Sequence, residues 1–384
     1  MRRYFDHNAT TPVHPAVKVA LVAALEEFGN PSSLHEEGQR ARAIVDKARA
    51  SVARALNARR NEIYFTSGGT EADNWALLAG AQANAAQTGG NKSRRVLISA
   101  IEHAATEAGA KALAALGFAV ETFAVNGDGV ADLSELREKL SSPTALVALM
   151  AANNETGVIQ PVAEAAALAH AAGALFFCDA VQALGKIPVD VRALDCDLLA
   201  ISAHKFYGPK GAGALFVRKG LDLPPFHLGG GQEGRRRGGT ESVPLIAALG
   251  AAVARVPELL AAQPRLGVLR DRLEQALHAA LPEMAVNGAA AKRVANTASL
   301  SFPGLEGEAL LINLDLEGFA VSTGAACSSG QLMPSHVLTA MGIAPEWVRG
   351  SLRISLGESS DEAGVDALAA ALGRIVPALR RALA

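Results

Sequence analysis

Cysteine is scarce in this chain, with three residues among 384, at positions 178, 196 and 327. No two of them form a Cys-x-x-Cys pair, and three cysteines in a chain of this length do not make a disulfide framework. We therefore expect reduced thiols and a cytoplasmic protein.

Charge of one sign and long apolar runs are also lacking. Lysine and arginine number 36 against 38 aspartates and glutamates, a net charge of -2, so neither nucleic acid nor a membrane surface is an expected partner. The start, MRRYFDHNATTP, has no apolar run after its two arginines, which argues against a signal peptide. No stretch approaches the ~20 apolar residues that span a bilayer, so we expect a soluble protein.

What the chain does have is an alternation of short apolar runs with alanine-rich helical patterns. Because such alternation is typical of βαβ units, it predicts an α/β fold with a mainly parallel, seven-stranded sheet and helices on both of its faces. The seven runs that we interpret as strands are residues 62–67, 95–100, 120–125, 145–151, 174–180, 198–202 and 213–217.

The last third of the chain has a different pattern. A long helical pattern over about residues 247–281 is followed by the mixed strands ANTASLSF, FAVST and SLRISLG and by an amphipathic helix from about residue 361. These elements predict a smaller α+β domain. We place the large domain at residues 16–255, and the small domain at residues 1–15, an extended arm, together with 256–384.

Lys205 lies between two apolar strands in the segment DLLAISAHKFYGPKGAGALFV, residues 197–217. A solvated loop lysine is the simpler interpretation. Burial would instead lower the lysine pKa and give the neutral amine that attacks a carbonyl group. The preceding apolar run, ALFFCDA, ends in Asp179. An amine for the aldehyde and an acid for the ring nitrogen are what pyridoxal phosphate (PLP) needs, and parallel strands bring both to one sheet edge.

Two further segments follow predicted strands. Residues 66–71, TSGGTE, connect a strand to a helix, and glycines there let backbone N–H groups approach a phosphate, although an ordinary glycine turn capped by Thr70 explains the same pattern. His103 follows the run RVLISA at the same predicted edge, where an imidazole could stack on a ring and transfer protons. A structural histidine is the alternative.

Polar residues elsewhere leave alternatives open. Asn154, in MAANNETG, could bind a ring substituent or could serve only its own turn. The segment GGGQEGRRRGGT, residues 229–240, carries three arginines that could clamp an anion or form a solvated face. Arg353, in SLRISLG, could face solvent or hold a substrate carboxylate.

The cysteines lie in two kinds of setting. Cys327 stands in STGAACSSG, a loop of small residues at 322–330, where a thiol is exposed and reactive. Cys178 and Cys196 lie in or beside apolar strands, and we expect them to act as small, inert hydrophobic residues.

Together these motifs resemble those of the cysteine desulfurases, the NifS and IscS family of fold-type I PLP enzymes in the class-V aminotransferase superfamily. The similar segments extend nearly from end to end: DHNATTPVHP, FGNPSSLH, TSGGTEADN, IEHAA, NNETGVIQP, DAVQALGKIPVD, SAHKFYGPKG, GGGQEGRRRGGT, STGAACSSG and SLRISLG. The resemblance implies the PLP-dependent transferase fold of type I and the conversion of L-cysteine to L-alanine, with sulfur passed on for iron-sulfur cluster or other cofactor assembly.

The resemblance also implies a role for each residue around the cofactor. Lys205 is then the Schiff-base lysine, Asp179 the partner of the ring nitrogen and Gln182 the contact to the ring hydroxyl. His103 is the stacking acid/base, and Asn154 lies beside the ring and the substrate. The implied phosphate-binding residues are Gly69, Thr70, Ser202 and His204, joined by Thr240, which reaches the phosphate bound by the partner subunit and so implies a homodimer.

For the substrate, the resemblance makes Arg353 the contact to the L-cysteine carboxylate and Cys327 the thiol that accepts sulfur as a persulfide. Cys327 is also a possible transient ligand of an iron-sulfur cluster, and no other metal site is implied. A sulfur-acceptor protein, such as an iron-sulfur scaffold, is an expected partner. The cysteine loop is taken as residues 322–335.

Some positions depart from the family pattern. Ala203 and Gly238 replace other small residues, and the order of Gly234 and Arg235 is swapped relative to many members. A selenocysteine lyase or cysteine sulfinate desulfinase of the same fold is the nearest alternative function, and a non-catalytic sulfur-relay subunit is another.

Overall fold

A computed structural model describes residues 2–87, 94–323, 327–328, 331–332 and 334–383 of the chain. The strands are β1 (Arg3–Tyr4), β2 (Ile63–Thr66), β3 (Arg95–Ser99), β4 (Ala119–Phe123), β5 (Leu146–Ala148), β6 (Leu175–Asp179), β7 (Leu198–Ser202), β8 (Gly213–Val217), β9 (Ala285–Val286), β10 (Thr297–Ser301), β11 (Phe319–Ala320), β12 (Cys327–Ser328), β13 (Gln331–Leu332) and β14 (Ser351–Ser355).

Twelve helices are present in this described part. They are α1 (Pro15–Leu25), α2 (Glu36–Ala55), α3 (Gly69–Gln87), α4 (Ala104–Ala115), α5 (Leu133–Lys139), α6 (Val162–Ala171), α7 (Val243–Ala254), α8 (Val256–Ala280), α9 (Gly307–Leu316), α10 (His336–Ala340), α11 (Pro345–Arg349) and α12 (Glu362–Leu383).

The central sheet has seven strands in the order β2-β8-β7-β6-β5-β3-β4. All neighbours pair in parallel except β8, which runs antiparallel to both β2 and β7. The seven strands predicted from the sequence are therefore confirmed, and so is the α/β fold class. Apolar residues on the two sides of the sheet form two separate buried clusters with the helices, as expected for strands covered on both faces.

Several predicted boundaries were wrong by a few residues. Only residues 146–148 of the run 145–151 pair in the sheet. The helical pattern over 247–281 is two helices, because the chain turns at Arg255, and Pro257 follows in the first turn of α8, where its missing N–H group is tolerated.

The smaller sheet lies in the last third of the chain. Strands β14, β10 and β9 pair antiparallel in that order, and β1 of the N-terminal arm pairs in parallel with β11. Phe5 of the arm belongs to the hydrophobic cluster formed by α8, α9, α12 and these strands. Packing thus joins the arm to the C-terminal part of the chain, and the division at residues 16–255 stays a prediction.

No single helix in the described ranges is long and apolar enough to cross a membrane. The pair α7 and α8, which is bent by 52°, reaches the required length and composition only when its two helices are counted together.

Candidate active site

A cavity of about 330 Å³ opens at the carboxyl ends of the parallel strands β6 and β7. This is the edge at which open α/β sheets bind their ligands, and the volume is that of a small-molecule site. Ten of the residues predicted from the sequence line it: Gly69, Thr70, His103, Asn154, Asp179, Gln182, Ser202, His204, Lys205 and Arg353.

Lys205 follows β7 in a single 3-10 turn that ends the strand. Its Nζ donates hydrogen bonds to the carbonyl oxygens of Asn8 and Ala9, at 2.7 and 2.9 Å. Burial lowers the lysine pKa to about 8, and the nearby cation Arg353 contributes in the same direction. The interpretation of Lys205 as a solvated loop lysine is therefore wrong, and a substantial fraction of the amine is neutral near physiological pH.

Asp179 is the last residue of β6 and is buried beside Lys205. The backbone N–H of Val181 donates to its Oδ1 at 2.8 Å, and within the described part of the chain its other oxygen has no hydrogen-bond partner. Burial raises the pKa of this carboxyl group, while His103 and Lys205 act against that shift. A cationic N–H group placed in the cavity would compensate the buried charge.

His103 begins α4, where its Nδ1 accepts a hydrogen bond from the backbone N–H of Ala105 at 3.1 Å. The proton of the neutral ring is therefore on Nε2. The ring is open to the cavity, and desolvation by the surrounding protein lowers its pKa, against the opposing charge of Asp179. His103 thus caps α4, as the structural alternative expects. Its Nε2 forms no hydrogen bond with any described residue and remains available for proton transfer.

Two buried acids beside Asp179 were not recognised from the sequence. Asp73, one turn into α3, lines the cavity, and its Oδ1 has no hydrogen-bond partner among the described residues. Burial and the charges of Asp179 and Glu102 raise its pKa well above the usual range. Glu102 accepts a hydrogen bond from the N–H of Met150, and burial raises its pKa to about 8. The sequence could have indicated Asp73, because it lies four residues after Gly69 and so on the same face of the helix.

The segment after β2 supplies an anion site at one end of the cavity. Helix α3 begins at Gly69, and a Cβ atom at that position would lie 2.9 Å from Val181 Cγ2, so only glycine fits without a shift. The free N–H groups of a helix N-terminus bind phosphate. Ser202 and His204 line the same cavity, and burial lowers the pKa of His204 to about 4, which keeps its ring neutral.

Arg353 lies in the middle of β14, opposite Ser299 of β10, and is 8% exposed. Its Nη2 donates to Asp6 Oδ1 at 2.8 Å and its Nη1 to the carbonyl oxygen of Asn154 at 3.2 Å. Its Nε is buried without a partner in the described ranges. The alternative of a solvent-facing arginine is therefore wrong, and one side of the guanidinium remains available to a carboxylate.

Asn154 and Gln182 lie at the cavity with different surroundings. The backbone carbonyl of Asn154, rather than its side chain, accepts the hydrogen bonds from Asn8 Nδ2 and Arg353. The Gln182 side chain donates from Nε2 to the Asn8 carbonyl at 2.9 Å and accepts at Oε1 from Lys186. One N–H of the Gln182 amide is left for a ligand.

The three arginines of this segment differ: Arg235 is exposed, as the solvated-face alternative expects, whereas Arg236 and Arg237 are partly buried. Arg237 forms a two-point ion pair with Glu71 of α3, and Arg236 lies over the ring of Tyr64, so both stabilise the fold. Arg235 has a left-handed backbone conformation with φ of 68°. Thr240 is exposed and does not line the 330 Å³ cavity of its own chain.

The three cysteines differ in what the structure describes. Cys178 and Cys196 are completely buried, and the contact between them together with burial raises the pKa of Cys178 well above its usual range, as expected for inert thiols. The backbone of Cys327 pairs with Leu332 in the β12–β13 hairpin, and its side chain lies outside the described part. The segment that precedes it is tied to the site by reciprocal backbone hydrogen bonds between Ser322 and Arg353, at 3.1 and 2.7 Å.

The donor set of the cavity fits PLP. Lys205 offers an amine of lowered pKa, and at the same sheet edge Asp179 has a carboxylate oxygen to which no described residue donates a hydrogen bond. The N-terminus of α3 suits a phosphate, because its N–H groups are free to donate hydrogen bonds. Gly69 keeps this end of the cavity open, since a Cβ atom there would lie 2.9 Å from Val181 Cγ2. The three features correspond to the aldehyde, the ring nitrogen and the phosphate of this cofactor.

Comparisons with known proteins agree with this fit. The family model described as aminotransferase class-V matches residues 3–368. Cysteine desulfurase IscS from Methanosarcina thermophila is 43% identical over 98% of this chain and 92% of its own length. The cysteine desulfurase from Trichormus azollae is also 43% identical, over 98% of this chain and 93% of its own.

Solved structures give the same result. A NifS-like protein superposes with a TM-score of 0.90 at 36% identity, covering 99% of this chain and 100% of that chain. A second NifS-like protein, from Rickettsia africae, has a TM-score of 0.88 at 33% identity, with 98% and 100% covered. Enzymes of this group depend on PLP, so the resemblance, the fold and the cofactor predicted from the sequence are confirmed. The chain belongs to the cysteine desulfurases of the NifS and IscS type, within the class-V aminotransferase family.

Proposed function

We propose that this enzyme converts L-cysteine to L-alanine and keeps the sulfur as a persulfide on Cys327. The observation that carries the proposal is that Lys205, Asp179 and Arg353 converge on one 330 Å³ cavity although Asp179 ends β6, Lys205 follows β7 and Arg353 lies within β14. An amine, an acid and a carboxylate-binding cation are the groups that amino-acid chemistry on PLP requires.

PLP, when bound, supplies an electron sink for the charge that develops at the substrate Cα. Lys205 would hold its aldehyde, Asp179 its ring nitrogen, and Gly69, Thr70, Ser202 and His204 its phosphate. Arg353 receives the substrate carboxylate on the side of the guanidinium that Asp6 and the Asn154 carbonyl leave free. This fixes the direction in which the substrate thiol points.

Proton transfers are assigned to Lys205 and His103, which both line the cavity. Lys205, whose pKa is about 8, takes the proton from Cα once it is free, because a neutral amine at that pKa is an effective base near neutral pH. His103, with Nε2 facing the cavity, accepts the thiol proton.

Sulfur transfer is assigned to Cys327. Its thiolate attacks the substrate sulfur, the S–S bond forms as the C–S bond breaks, and protons from the site complete alanine, so that cysteine and a thiol yield alanine and a persulfide. The ends of the cysteine loop support this role. Ser322 pairs with the backbone of Arg353 at one end, and Ser335 Oγ donates to Glu155 Oε2 at 2.5 Å at the other.

The proposal extends to assembly and partners. A homodimer would bring the exposed Thr240 to the phosphate bound in the partner subunit. A sulfur-acceptor protein such as an iron-sulfur scaffold would take the persulfide sulfur, and Cys327 would be a transient cluster ligand. We place the enzyme in the cytoplasm, in keeping with its reduced, buried Cys178 and Cys196.

The test is Cys327→Ser in the PLP-loaded enzyme, with Cys196→Ser as a matched control. Persulfide is measured by mass spectrometry after incubation with L-cysteine, and alanine by chromatography. We expect Cys327→Ser to retain the cofactor and lose the persulfide, whereas the control retains both. Unchanged persulfide in Cys327→Ser would refute the assignment, and unchanged turnover of selenocysteine with loss of cysteine turnover would favour a selenocysteine lyase.

A further inference from the structure

A second lysine lies behind the site. Lys186 is 8% exposed, and no carboxylate in the described ranges forms an ion pair with it. Its Nζ donates to Asn8 Oδ1 at 2.7 Å and to Gln182 Oε1 at 2.5 Å. A buried lysine without an acid is costly, so its two hydrogen bonds must compensate for lost solvation.

The two oxygens that accept hydrogen bonds from Lys186 belong to Asn8 and Gln182, and both of these residues line the 330 Å³ cavity. The Asn8 carbonyl accepts from Lys205 Nζ at 2.7 Å and from Gln182 Nε2 at 2.9 Å. Lys186 therefore contacts the side chain of Asn8, and Lys205 contacts its backbone. The amine of Lys186 closes a ring of hydrogen bonds, Lys186 to Gln182 to Asn8 and back to Lys186, and Lys205 is attached to that ring.

Other contacts hold Asn8 in place, which makes it a rigid support. Its Nδ2 donates to Thr297 Oγ1 at 2.9 Å, and its backbone N–H donates to Ser355 Oγ at 2.9 Å. Asn296 Nδ2 shares the Asn8 Oδ1 acceptor at 3.1 Å. A change at Lys186 is thus transmitted to the Gln182 amide and the Asn8 carbonyl rather than absorbed by a flexible arm.

Lys186 and Lys205 also line one cavity together. Lys205 lines the 330 Å³ cavity and a second, smaller one of about 30 Å³ behind it, whereas Lys186 lines only the smaller cavity. That rear cavity is mainly apolar, lined by Leu184 and Leu259 among others, but His7 and Gln263 also line it, and it is large enough for one water. Both His7 ring nitrogens and Gln263 Oε1 lack partners within the described part.

We propose that Lys186 is a positioning residue for Lys205: it fixes the Gln182 amide and the Asn8 carbonyl, and through them the resting place of the Lys205 amine in the cavity. The inference rests on the proposed function, in which Lys205 is the amine that reacts with PLP. Burial and the neighbouring cations Lys205 and Arg353 lower the pKa of Lys186 well below its usual range.

The test uses cofactor-free, full-length protein. Absorbance spectroscopy measures the rate at which added PLP becomes covalently attached to Lys205. Lys186→Met keeps the length of the side chain and removes both hydrogen bonds. We expect attachment about tenfold slower, which corresponds to about 1.4 kcal/mol. The matched control is Lys292→Met, which changes an exposed lysine and leaves the rate unchanged.

Positioning is distinguished from general destabilisation by a second measurement. Circular dichroism and the thermal midpoint establish that Lys186→Met is folded, and a folded variant that attaches PLP within twofold of the wild-type rate overturns the proposal. If Lys186→Met does not fold, Lys186→Leu, which also removes both hydrogen bonds and leaves Gln182 unchanged, is compared in its place. A slower rate then supports the proposal, and a wild-type rate overturns it.

Failure of the proposed function has a different signature. If Lys205→Ala still binds PLP covalently, Lys205 is not the reactive amine and the proposed function fails whatever the behaviour of Lys186. If Lys205→Ala loses attachment while Lys186→Met is normal, only the positioning role is refuted.

Discussion

Asp6 and Arg353, 347 residues apart in the sequence, form an ion pair of 2.8 Å at the wall of the cavity. Both side chains are largely buried, with 19% and 9% of their surface exposed. Asp6 comes from the N-terminal arm and Arg353 from β14, and the arm is bridged to that strand at Ser355. The pair holds the guanidinium in one orientation, so under the proposed function the arm supports the residue that receives the substrate carboxylate.

This geometry predicts that Asp6→Asn weakens the binding of L-cysteine. Loss of the charged partner frees the guanidinium to turn, and a hydrogen bond to a charged group contributes about 1.5–3 kcal/mol, of which a part is lost here. We expect KM for L-cysteine to rise about tenfold with a smaller change in kcat, because the orientation of the carboxylate is affected before the chemistry.

Steady-state kinetics of alanine formation measures this effect. Arg353→Lys, which loses the planar fork, should raise KM further. The control is Arg349→Lys, because Arg349 is exposed and does not line the 330 Å³ cavity. An unchanged KM in Arg353→Lys would show that the substrate carboxylate binds elsewhere.

The lowered pKa of Lys205 predicts a pH profile for cofactor attachment. Only the neutral amine attacks the aldehyde, so the rate rises with pH and reaches half of its maximum at the lysine pKa, which is about 8 here. Burial is the larger cause of this shift and Arg353 the next, so Arg353→Met should move the midpoint to higher pH. Stopped-flow absorbance of the apoprotein with PLP gives the profile, and a midpoint near the ordinary lysine value of about 10.4 would contradict it.

A pH effect on stability is expected far from the site, at His170. Its ring contacts Asp197 at 2.8 Å and Asp195 at 3.2 Å, and the hydrogen bond to Asp197 followed by the charges of both acids raises the His170 pKa. A raised folded-state pKa gives stabilisation that is fully present below the unfolded value of about 6.5 and is lost as the pH rises through the folded value.

His170→Gln should therefore lower the free energy of unfolding by about 1 kcal/mol at acidic pH and by less at pH well above the folded value. Urea denaturation at about pH 5.5 and about pH 9 makes the comparison. Equal losses at both values would show that the ring acts through packing and not through its charge. His278→Gln is the matched control, because His278 lies near the end of α8, is exposed and forms no ion pair with an acid in the described part of the chain.

Asp179 and Lys205 could be predicted as site residues because each lies at or just after the end of a buried apolar strand. A charged side chain there loses solvation, and a ligand can compensate that loss. The neighbours of both residues on the sheet then follow from parallel pairing, in which β6 and β7 are adjacent. Glu71 and Arg237 could not be paired from the sequence, because the ion pair joins positions 166 residues apart.

The arm is the main feature that sequence reasoning missed. Asp6, Asn8 and Lys186 are ordinary polar residues in the sequence, and their roles arise only when β1 pairs with β11 and brings the arm beneath β14. No local pattern reports such a contact. The motif DHNATTP contributed to the family resemblance, but its physical function becomes visible only through its hydrogen bonds to Lys205, Lys186 and Arg353.

The most direct measurement of the central claim is reduction of the PLP-loaded enzyme with borohydride, followed by peptide mass spectrometry. If Lys205 carries the cofactor, the purified enzyme is yellow, and after reduction the added mass lies on the peptide that contains Lys205 and on no peptide of Lys205→Ala. A colourless reconstituted protein, or the added mass on Lys186 or another lysine, would contradict the account.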